Sequence, residues 1–520
     1  MPRAPTLAGA FGLSVAAGLA QAASLASPWN GQPQWWLQLL ALAALAGLVQ
    51  REHSAARAAL LGWGFGAAWL AGTFWWLFIS MHVYGGLPSP MAAAAVLLLA
   101  GFLALYYALA CGLYAGLAGT SSAFNAVLFA ALWLGAELLR AVLWTGFPWG
   151  AGGYAHVDGP LSALARLVGV HGIGFASALL AFGLSLLVRG GRRHSWRYWA
   201  AVGAALGLLA ACNMAASPAP YSAGPRMTVT LLQGNIPQDE KFQPGTGVPL
   251  ALAWYREKLL ASETSLVVAP ETAIPLLPRQ LPDGYMAEIG QRFHAGAQAA
   301  LIGVPLGSYE EGYSNSVIGL KPEAPAAYRY DKHHLVPFGE FIPPMFKWFT
   351  RMMNIPLGDF NRGAIGQPSL TWQGERLAPN VCYEDLFGEE LAARFRDPAN
   401  APTIFVNVSN IAWFGNTVAI DQHLQISRMR ALEFERPMLR ATNTGATVVI
   451  DRHGRVTHSL PRHTRGVLEG EVQGGRIITP YARWVAALGL WPLWGAVLAV
   501  LAFAVRRARR ASPAAGPAGG

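Results

Sequence analysis

The sequence predicts a bundle of about eight membrane-spanning helices joined to one α/β domain. Of the 520 residues, 53% are hydrophobic and only 13% are charged, whereas soluble domains carry roughly 25% charged residues. Eight apolar segments account for the difference. Before the last of them, from about residue 225 to 475, short β-rich runs alternate with amphipathic helices. That length suffices for one α/β domain with its own core.

This pattern divides the chain into four predicted parts. They are an amino-terminal bundle of about seven helices (1–223), the α/β domain (224–480), a final membrane helix (481–510) and a disordered tail rich in Ala, Pro and Gly (511–520).

Most of the apolar segments reach or approach the ~20 residues that a helix needs to cross a bilayer. They lie at about 7–27, 34–50, 58–79, 91–117, 123–144, 160–188, 198–215 and 484–505. Tryptophans near their ends are typical of an interfacial belt: Trp35, Trp36, Trp75, Trp76, Trp149, Trp484 and Trp491. The first segment, with Ala20-Gln21-Ala22 near its end, also resembles a cleavable signal peptide, and we favour a retained helix.

The arginines predict the orientation of the chain. One set of alternating loops contains Arg3, Arg51, Arg57, Arg189, Arg192, Arg193, Arg197, Arg506, Arg507, Arg509 and Arg510. The other set, around 28–33, 80–90 and 145–159, contains no Lys or Arg. By the positive-inside rule both termini lie in the cytoplasm and the α/β domain lies outside. Arginines beside helix ends are typical topology signals, so the net charge of +10 predicts no nucleic-acid partner.

Glu137 and Arg140 form the one charge pair within a predicted membrane segment. Their spacing places them on one helical face, where each offsets the other's cost in lipid. The pair is either structural or a substrate contact. The loop that follows, GFPWG at 146–150, contains Phe147 and Trp149 and suits a membrane interface where lipid could enter.

The α/β domain is predicted from buried strands and amphipathic helices. Strands are expected at 227–233, 265–269, 300–304, 316–320, 379–383, 403–408 and 447–450, and helices at 250–262, 285–298 and 422–435.

Three polar residues at strand ends or nearby turns are candidate catalytic residues. Cys382 is the one cysteine between residues 224 and 481, in a domain predicted to lie where paired thiols oxidise. Glu271 and Lys332 are a possible base for its proton and a possible cation for a thiolate or oxyanion. The sequence alone does not bring these three residues together.

The segments around Glu271, Lys332 and Cys382 resemble the Glu–Lys–Cys signature of the nitrilase superfamily. Further motifs resemble its membrane members, the apolipoprotein N-acyltransferases: QGNIPQ at 233–238, HLVPFGEF at 334–341, AWFG at 412–415, RMRALE at 428–433 and the loop at 146–149. The resemblance implies an αββα sandwich in the α/β domain, which would face the periplasm from the bacterial cytoplasmic (inner) membrane. It covers nearly the whole chain.

The resemblance also implies a reaction. Cys382, deprotonated by Glu271, would attack the sn-1 ester of a phospholipid to form a thioester. Lys332 and the backbone N–H of Tyr383 would hold the oxyanion. The acyl chain would then pass to the α-amino group of a diacylglyceryl-cysteine apolipoprotein.

Two more carboxylates, Glu340 and Glu384, match functional residues of the family and would orient Lys332 and support the base, or else form structural ion pairs. Phe242 and Trp413 are expected to contact substrate, as are Phe147 and Trp149. Relatives often carry Trp where this chain has Phe242, so an aromatic wall remains without the indole N–H. Ile411 replaces an acidic residue of the family pattern at 409–415.

The stretch 341–360, FIPPMFKWFTRMMNIPLGDF, is dense in aromatic residues and methionines. It either dips into the outer leaflet or covers acyl chains as a lid, or else it is buried against the membrane helices. His333, His334 and His423 lack metal-ligand spacing and are interpreted as structural or surface residues. We expect no cofactor and no metal, membrane lipid as a partner, and a monomer.

Two other functions fit parts of the sequence. One is a membrane-anchored nitrilase-type amidase, although eight helices exceed what an anchor requires. The other is an inactive membrane scaffold, against which the intact Glu271, Lys332 and Cys382 argue.

Overall fold

The protein is described by a computed structural model that covers residues 6–188, 199, 203, 207, 224–324, 326–342 and 360–511. The chain divides into two compact units. The first comprises Met1–Trp75, Ala95–Ala216 and Leu488–Gly520, and the second comprises Trp76–Ala94 and Ser217–Ala487.

The first unit is helical. Its described helices are Leu7–Leu25, Trp35–Val49, Ala55–Phe74, Ser89–Leu117 (whose first residues belong to the second unit), Ser122–Val142, Ala165–Val188 and Trp491–Ala511. Five helices in the described part of the chain are long and apolar enough to cross a membrane, and a bent pair would make a sixth. The predicted seventh segment, 198–215, lies outside the described residues except for residues 199, 203 and 207. A membrane bundle is therefore confirmed, while the count of eight stays a prediction.

Two segments that were expected to be continuous helices are broken. The third ends as an α-helix at Phe74, and the chain continues as the short helix Leu77–Ile79 and the π-helix Ser80–Tyr84 in the second unit. The last predicted segment, 484–505, is divided at Gly489, whose φ of +57° is incompatible with a continuous helix. Its first part belongs to a separate helix, Pro480–Leu488.

The second unit contains two six-stranded sheets. The strands are β1 (Arg226–Gln233), β2 (Leu266–Ala269), β3 (Ala299–Ser308), β4 (Gly312–Leu320), β5 (Tyr328–Asp331), β6 (Leu370–Trp372), β7 (Glu375–Val381), β8 (Ile404–Ser409), β9 (Met438–Thr442), β10 (Val448–Ile450), β11 (Val456–Ser459) and β12 (Gly466–Gln473). The first sheet has the order β12-β1-β2-β3-β4-β5, and the second has the order β11-β10-β9-β8-β7-β6. Parallel pairing joins β1 to β2 and β2 to β3 in one sheet, and β7 to β8 and β8 to β9 in the other.

The sheets pack face to face, with helices on both outer sides. Along β2, Leu266 and Val268 point into the core between the sheets, whereas Val267 and Ala269 contact the outer layer. Helices Gly247–Ala261 and Tyr285–His294 cover the first sheet. Helices Gly388–Ala392, Val418–Phe434 and Pro480–Leu488 cover the second. This confirms the predicted αββα sandwich, and it explains why both faces of the central strands are apolar.

The predicted strand at 379–383 ends earlier than expected. Strand β7 stops at Val381, and Cys382 begins a 3₁₀ turn, Cys382–Leu386. Cys382 has a φ of +53°, a conformation that costs a residue with a Cβ roughly 1 kcal/mol or more. The cysteine therefore lies on a sharp turn at the end of a buried strand.

Candidate active site

Glu271 lies just beyond the end of β2, and its side chain is held at both oxygens. The residue is 8% exposed. Asn315 Nδ2, from β4, donates to Glu271 Oε1 at 2.7 Å. The backbone N–H of Asn410, beyond the end of β8, donates to Glu271 Oε2 at 2.7 Å. These contacts fix the carboxylate between the two sheets.

Lys332 follows β5 directly and is completely buried. Its ammonium lies 2.9 Å from the Glu340 carboxylate and 3.5 Å from Glu271 Oε1. Asn315 Nδ2 donates to Glu340 as well, at 2.8 Å. One lysine and one asparagine therefore bridge the two carboxylates.

Cys382 is partly exposed, and its sulfur receives a hydrogen bond from Ser409 Oγ at 3.3 Å. Ser409 is the last residue of β8, and its neighbour Asn410 donates to Glu271. Two consecutive residues therefore link the thiol and the predicted base. The structure brings Glu271, Lys332 and Cys382 into one site, at the carboxyl ends of β2, β5 and β7.

The charged groups of this site change one another's pKa values. Burial opposes the charge of Lys332, but the Glu340 and Glu271 carboxylates outweigh burial and raise the pKa of Lys332 above the ordinary value for lysine. Burial and the Glu271 carboxylate raise the pKa of Cys382 to about 12, although Lys332 and Ser409 act in the opposite direction. Cys382 is therefore a thiol in the resting site, and a thiolate forms only if a base accepts the proton.

Two domain models match this chain. The apolipoprotein N-acyltransferase N-terminal domain matches residues 17–183, and carbon-nitrogen hydrolase matches residues 228–479. An apolipoprotein N-acyltransferase of Verminephrobacter eiseniae (strain EF01-2) is 61% identical and aligns over 94% of both chains. The chain belongs to the apolipoprotein N-acyltransferase family.

Other proteins are similar as well. An apolipoprotein N-acyltransferase of Ralstonia nicotianae (strain ATCC BAA-1114 / GMI1000) is 49% identical, over 92% of this chain and 91% of that protein. Among solved structures, an amidase from Nesterenkonia sp. has a TM-score of 0.35 and 17% identity, over 51% of this chain and 96% of that chain.

Glu340 and Glu384, the two further carboxylates expected to be functional in this N-acyltransferase family member, form different contacts. Glu340 contacts Lys332 directly and also accepts the backbone N–H of Val336 at 2.9 Å. Glu384 is buried, and it accepts hydrogen bonds from the Tyr330 hydroxyl and from three backbone N–H groups. These belong to His333, His334 and Val381. Glu384 thus joins the loop after Lys332 to the turn of Cys382.

Sequence reasoning missed three residues of the site. Asn315 and Asn410 contact Glu271, and the Lys241 ammonium donates to the backbone carbonyl of Glu271 at 3.0 Å. Lys241 lies three residues beyond the QGNIPQ motif. Proximity to that motif was the available signal for Lys241, and Asn410 lies within the family pattern at 409–415. Asn315 had no signal beyond its place in a strand.

Tyr383, which is expected to support the oxyanion, and Phe242 and Trp413, which are expected to bind substrate, lie in the same unit as Cys382. The Tyr383 ring is buried against His334 and Phe387. Phe242 is 38% exposed. Trp413 forms an edge-to-face contact with Tyr84, with ring centroids 5.8 Å apart. Their roles in binding stay predictions.

The two aromatic residues of the 146–150 loop lie in the helical unit. Phe147 packs against Phe74, with ring centroids 5.2 Å apart. Arg140 Nη1 donates to the carbonyl oxygens of Phe147 and Trp149 at 2.9 and 2.7 Å. Arg140 also lies 3.9 Å from Glu137. Arg140 therefore supports this loop, and the two interpretations of the charge pair, structural or in contact with substrate, stay predictions.

The histidines have protein partners. His334 Nδ1 lies 2.8 Å from Glu390, and His423 Nε2 lies 3.0 Å from Asp385. His423 is fully buried and so is structural, not a surface residue. Within the described ranges, no group of His, Cys, Asp and Glu side chains could hold a metal ion. Most of the apolar stretch 341–360, namely 343–359, lies outside the described residues.

Proposed function

We propose that this chain transfers an acyl chain from the sn-1 ester of a phospholipid, through a thioester on Cys382, to the α-amino group of a diacylglyceryl-cysteine apolipoprotein. The observation that carries the proposal is the convergence of Glu271, Lys332 and Cys382 in one buried site. Membership of the N-acyltransferase family supports an apolipoprotein acceptor. The membrane helices support a lipid donor.

In the first half-reaction, Glu271 removes the proton of the Cys382 thiol and the sulfur attacks the ester carbonyl. The carbonyl oxygen becomes an oxyanion, which Lys332 and the N–H of Tyr383 stabilise. The C–O bond then breaks and the leaving alkoxide takes the proton from Glu271. The products are a thioester and a lysophospholipid.

In the second half-reaction, the neutral α-amino group of the acceptor attacks the thioester carbonyl. The C–S bond breaks, and Glu271 takes a proton from the attacking nitrogen and returns it to the sulfur. The acyl chain is now an amide, and Cys382 is again a thiol. No cofactor is needed, because both steps exchange one acyl bond for another.

The charge pattern of the loops supports a location in the bacterial cytoplasmic membrane, with the catalytic domain in the periplasm and both termini in the cytoplasm. Thiol labelling tests this orientation after Cys111, Cys212 and Cys382 are all replaced by Ser. Glu310→Cys should react with a membrane-impermeant maleimide on intact spheroplasts. Arg510→Cys should react only after permeabilisation, and the reverse result would contradict the orientation.

Acyl trapping tests the mechanism. The purified protein is incubated with phospholipid labelled in the sn-1 chain, and bound label is measured before and after hydroxylamine. We expect hydroxylamine-sensitive label on the wild type and on the control Cys111→Ser, and none on Cys382→Ala. Label retained by Cys382→Ala would refute the mechanism. Hydrolysis of small amides without acyl trapping would favour the amidase instead.

A further inference from the structure

Lys241 is a buried lysine with no role in the reaction described above. The residue is 2% exposed. It lies in a turn in which its backbone N–H donates to the Pro237 carbonyl at 2.9 Å. Its ammonium donates to the Glu271 carbonyl oxygen at 3.0 Å. A buried ammonium is costly unless nearby charge compensates it, and one neutral carbonyl does not.

The compensating charge comes from the active site. Glu271 and Glu340 carry two negative charges, whereas Lys332 supplies one positive charge next to both. Lys241 supplies the second, so the four groups are neutral together before a thiolate forms. Burial lowers the pKa of Lys241 to about 8, although Glu271 and Cys382 act in the opposite direction. The ammonium therefore remains mainly protonated at neutral pH.

The backbone of Glu271 also needs support. The next residue, Thr272, has a φ of +46°, which a β-branched residue rarely adopts. On one side the chain approaches β3 so closely that a Cβ on Gly303 would lie 2.2 Å from the Pro270 carbonyl oxygen. Lys241 holds the Glu271 carbonyl itself. The position of the predicted base is thus set by a strained turn with a cation bound to it.

We propose that Lys241 is a positioning residue of the active site, which fixes the backbone of Glu271 and offsets the negative charge of the Cys382 thiolate. This rests on the proposed roles of Cys382 as nucleophile and Glu271 as base. When the thiol proton passes to Glu271, the negative charge moves from that carboxylate to the sulfur. Lys332 and Lys241 then still balance the two negative groups of the site, Glu340 and the thiolate.

Alkylation of Cys382 by iodoacetamide tests the proposal in the full-length protein in detergent, with Cys111 and Cys212 replaced by Ser so that Cys382 is the one remaining thiol. The charged groups that act on this thiol are Glu271, Glu340, Lys332, Lys241 and Arg440. Lys241→Met should slow alkylation about tenfold near pH 7, where the Lys241 ammonium is mainly protonated, which is the effect of raising the thiol pKa by about one unit. The difference should shrink as the pH rises through about 8 and the ammonium loses its proton. The control Lys258→Met removes a half-buried lysine outside the site, which pairs with Glu257, and should leave the alkylation rate unchanged.

Lys241→Arg keeps the charge and should alkylate within about threefold of the wild-type rate. Thermal unfolding reports whether each variant is folded. A folded Lys241→Met that alkylates at the wild-type rate overturns the proposal. If Lys241→Met does not fold, Lys241→Arg decides, and a tenfold loss in that variant overturns the proposal too.

The result can be separated from that of acyl trapping, because alkylation needs neither phospholipid nor acceptor. A protein that alkylates as expected but forms no acyl thioester would refute the proposed function and leave the role of Lys241 intact. If the acyl thioester forms but Lys241→Met alkylates at the wild-type rate, only the role of Lys241 is refuted.

Discussion

The imidazole of His423 lies 3.1 Å from the carbonyl oxygen of Cys382. Arg440 Nη2 lies 2.7 Å from the other ring nitrogen, Nδ1. Because the guanidinium can only donate, Nδ1 accepts and the ring proton is on Nε2. Burial and the Arg440 charge lower the pKa of His423, although Asp385 acts in the opposite direction, so the ring is neutral. Nε2–H donates towards the Cys382 and Asp385 oxygens and supports the strained turn.

His423→Phe should therefore weaken the backbone turn at Cys382 while leaving the thiol itself unchanged. The substitution leaves Asp385 and Arg440 short of a buried partner, which costs about 1–3 kcal/mol of unfolding free energy. We expect the rate of N-acylation of a diacylated lipopeptide to fall at least about tenfold, with a lower Tm. His458→Ala, at an exposed position, is the control. Wild-type activity in His423→Phe would show that the turn does not depend on this hydrogen bond.

Lys332→Met should destabilise the protein strongly, since it leaves the Glu271 and Glu340 carboxylates buried without their cation. Breaking such a pair costs about 3–5 kcal/mol. The double variant Lys332→Met/Glu340→Gln should recover about 1–3 kcal/mol, because one uncompensated charge is removed. Denaturant unfolding in detergent measures both values.

An exposed ion pair is the control for the Lys332 variants. Arg256 lies 2.6 Å from Glu288 with both side chains more than 40% exposed, and Arg256→Met should cost less than about 1 kcal/mol. Equal losses for Lys332→Met and Arg256→Met would contradict the buried pairing.

Glu271→Gln should separate thiol acidity from catalysis. The Glu271 carboxylate raises the pKa of Cys382, so its removal lowers that pKa and increases the thiolate fraction at a given pH. We expect faster alkylation of Cys382 between about pH 8 and 10, together with loss of acyl transfer because the base is absent. Slower alkylation would mean that the carboxylate does not act on the thiol in this way. Glu263→Gln, at an exposed position, serves as the control.

Glu389 should make stability depend on pH. Burial, assisted by Glu390 and Glu433, raises the pKa of Glu389 from 4.5 to about 7 against the effect of Arg430. A raised pKa means that the folded state binds the proton more tightly, so this contribution is complete below pH 4.5 and is lost as the pH rises through 7. Glu389→Gln should therefore unfold at a higher temperature than the wild type at pH 8, and at a similar temperature at pH 5. Thermal scans at both values test this, and equal curves at pH 8 would contradict it.

Much of the fold could be predicted because its signals are local. Apolar segments of sufficient length mark membrane helices, and a continuous apolar run such as 266–269 marks a strand that is buried on both faces. Strands β5, β6, β9, β11 and β12 were missed. Four of them, β5, β6, β11 and β12, are partly or fully exposed, and β9 is buried but contains Arg440 and Thr442, so all five lack a continuous apolar run. The break at Gly489 was missed because apolar residues continue on both sides of it.

The sequence by itself determined the two-part architecture and, through the family motifs, selected Glu271, Lys332 and Cys382. Only the tertiary structure brought these residues together and added Lys241, Asn315 and Asn410 around Glu271. The physical reason is that Asn315 and Asn410 reach the carboxylate from different sheets, 44 and 139 residues away along the chain. Such contacts leave no local periodicity. They arise when two separately patterned sheets pack face to face and their strand ends meet.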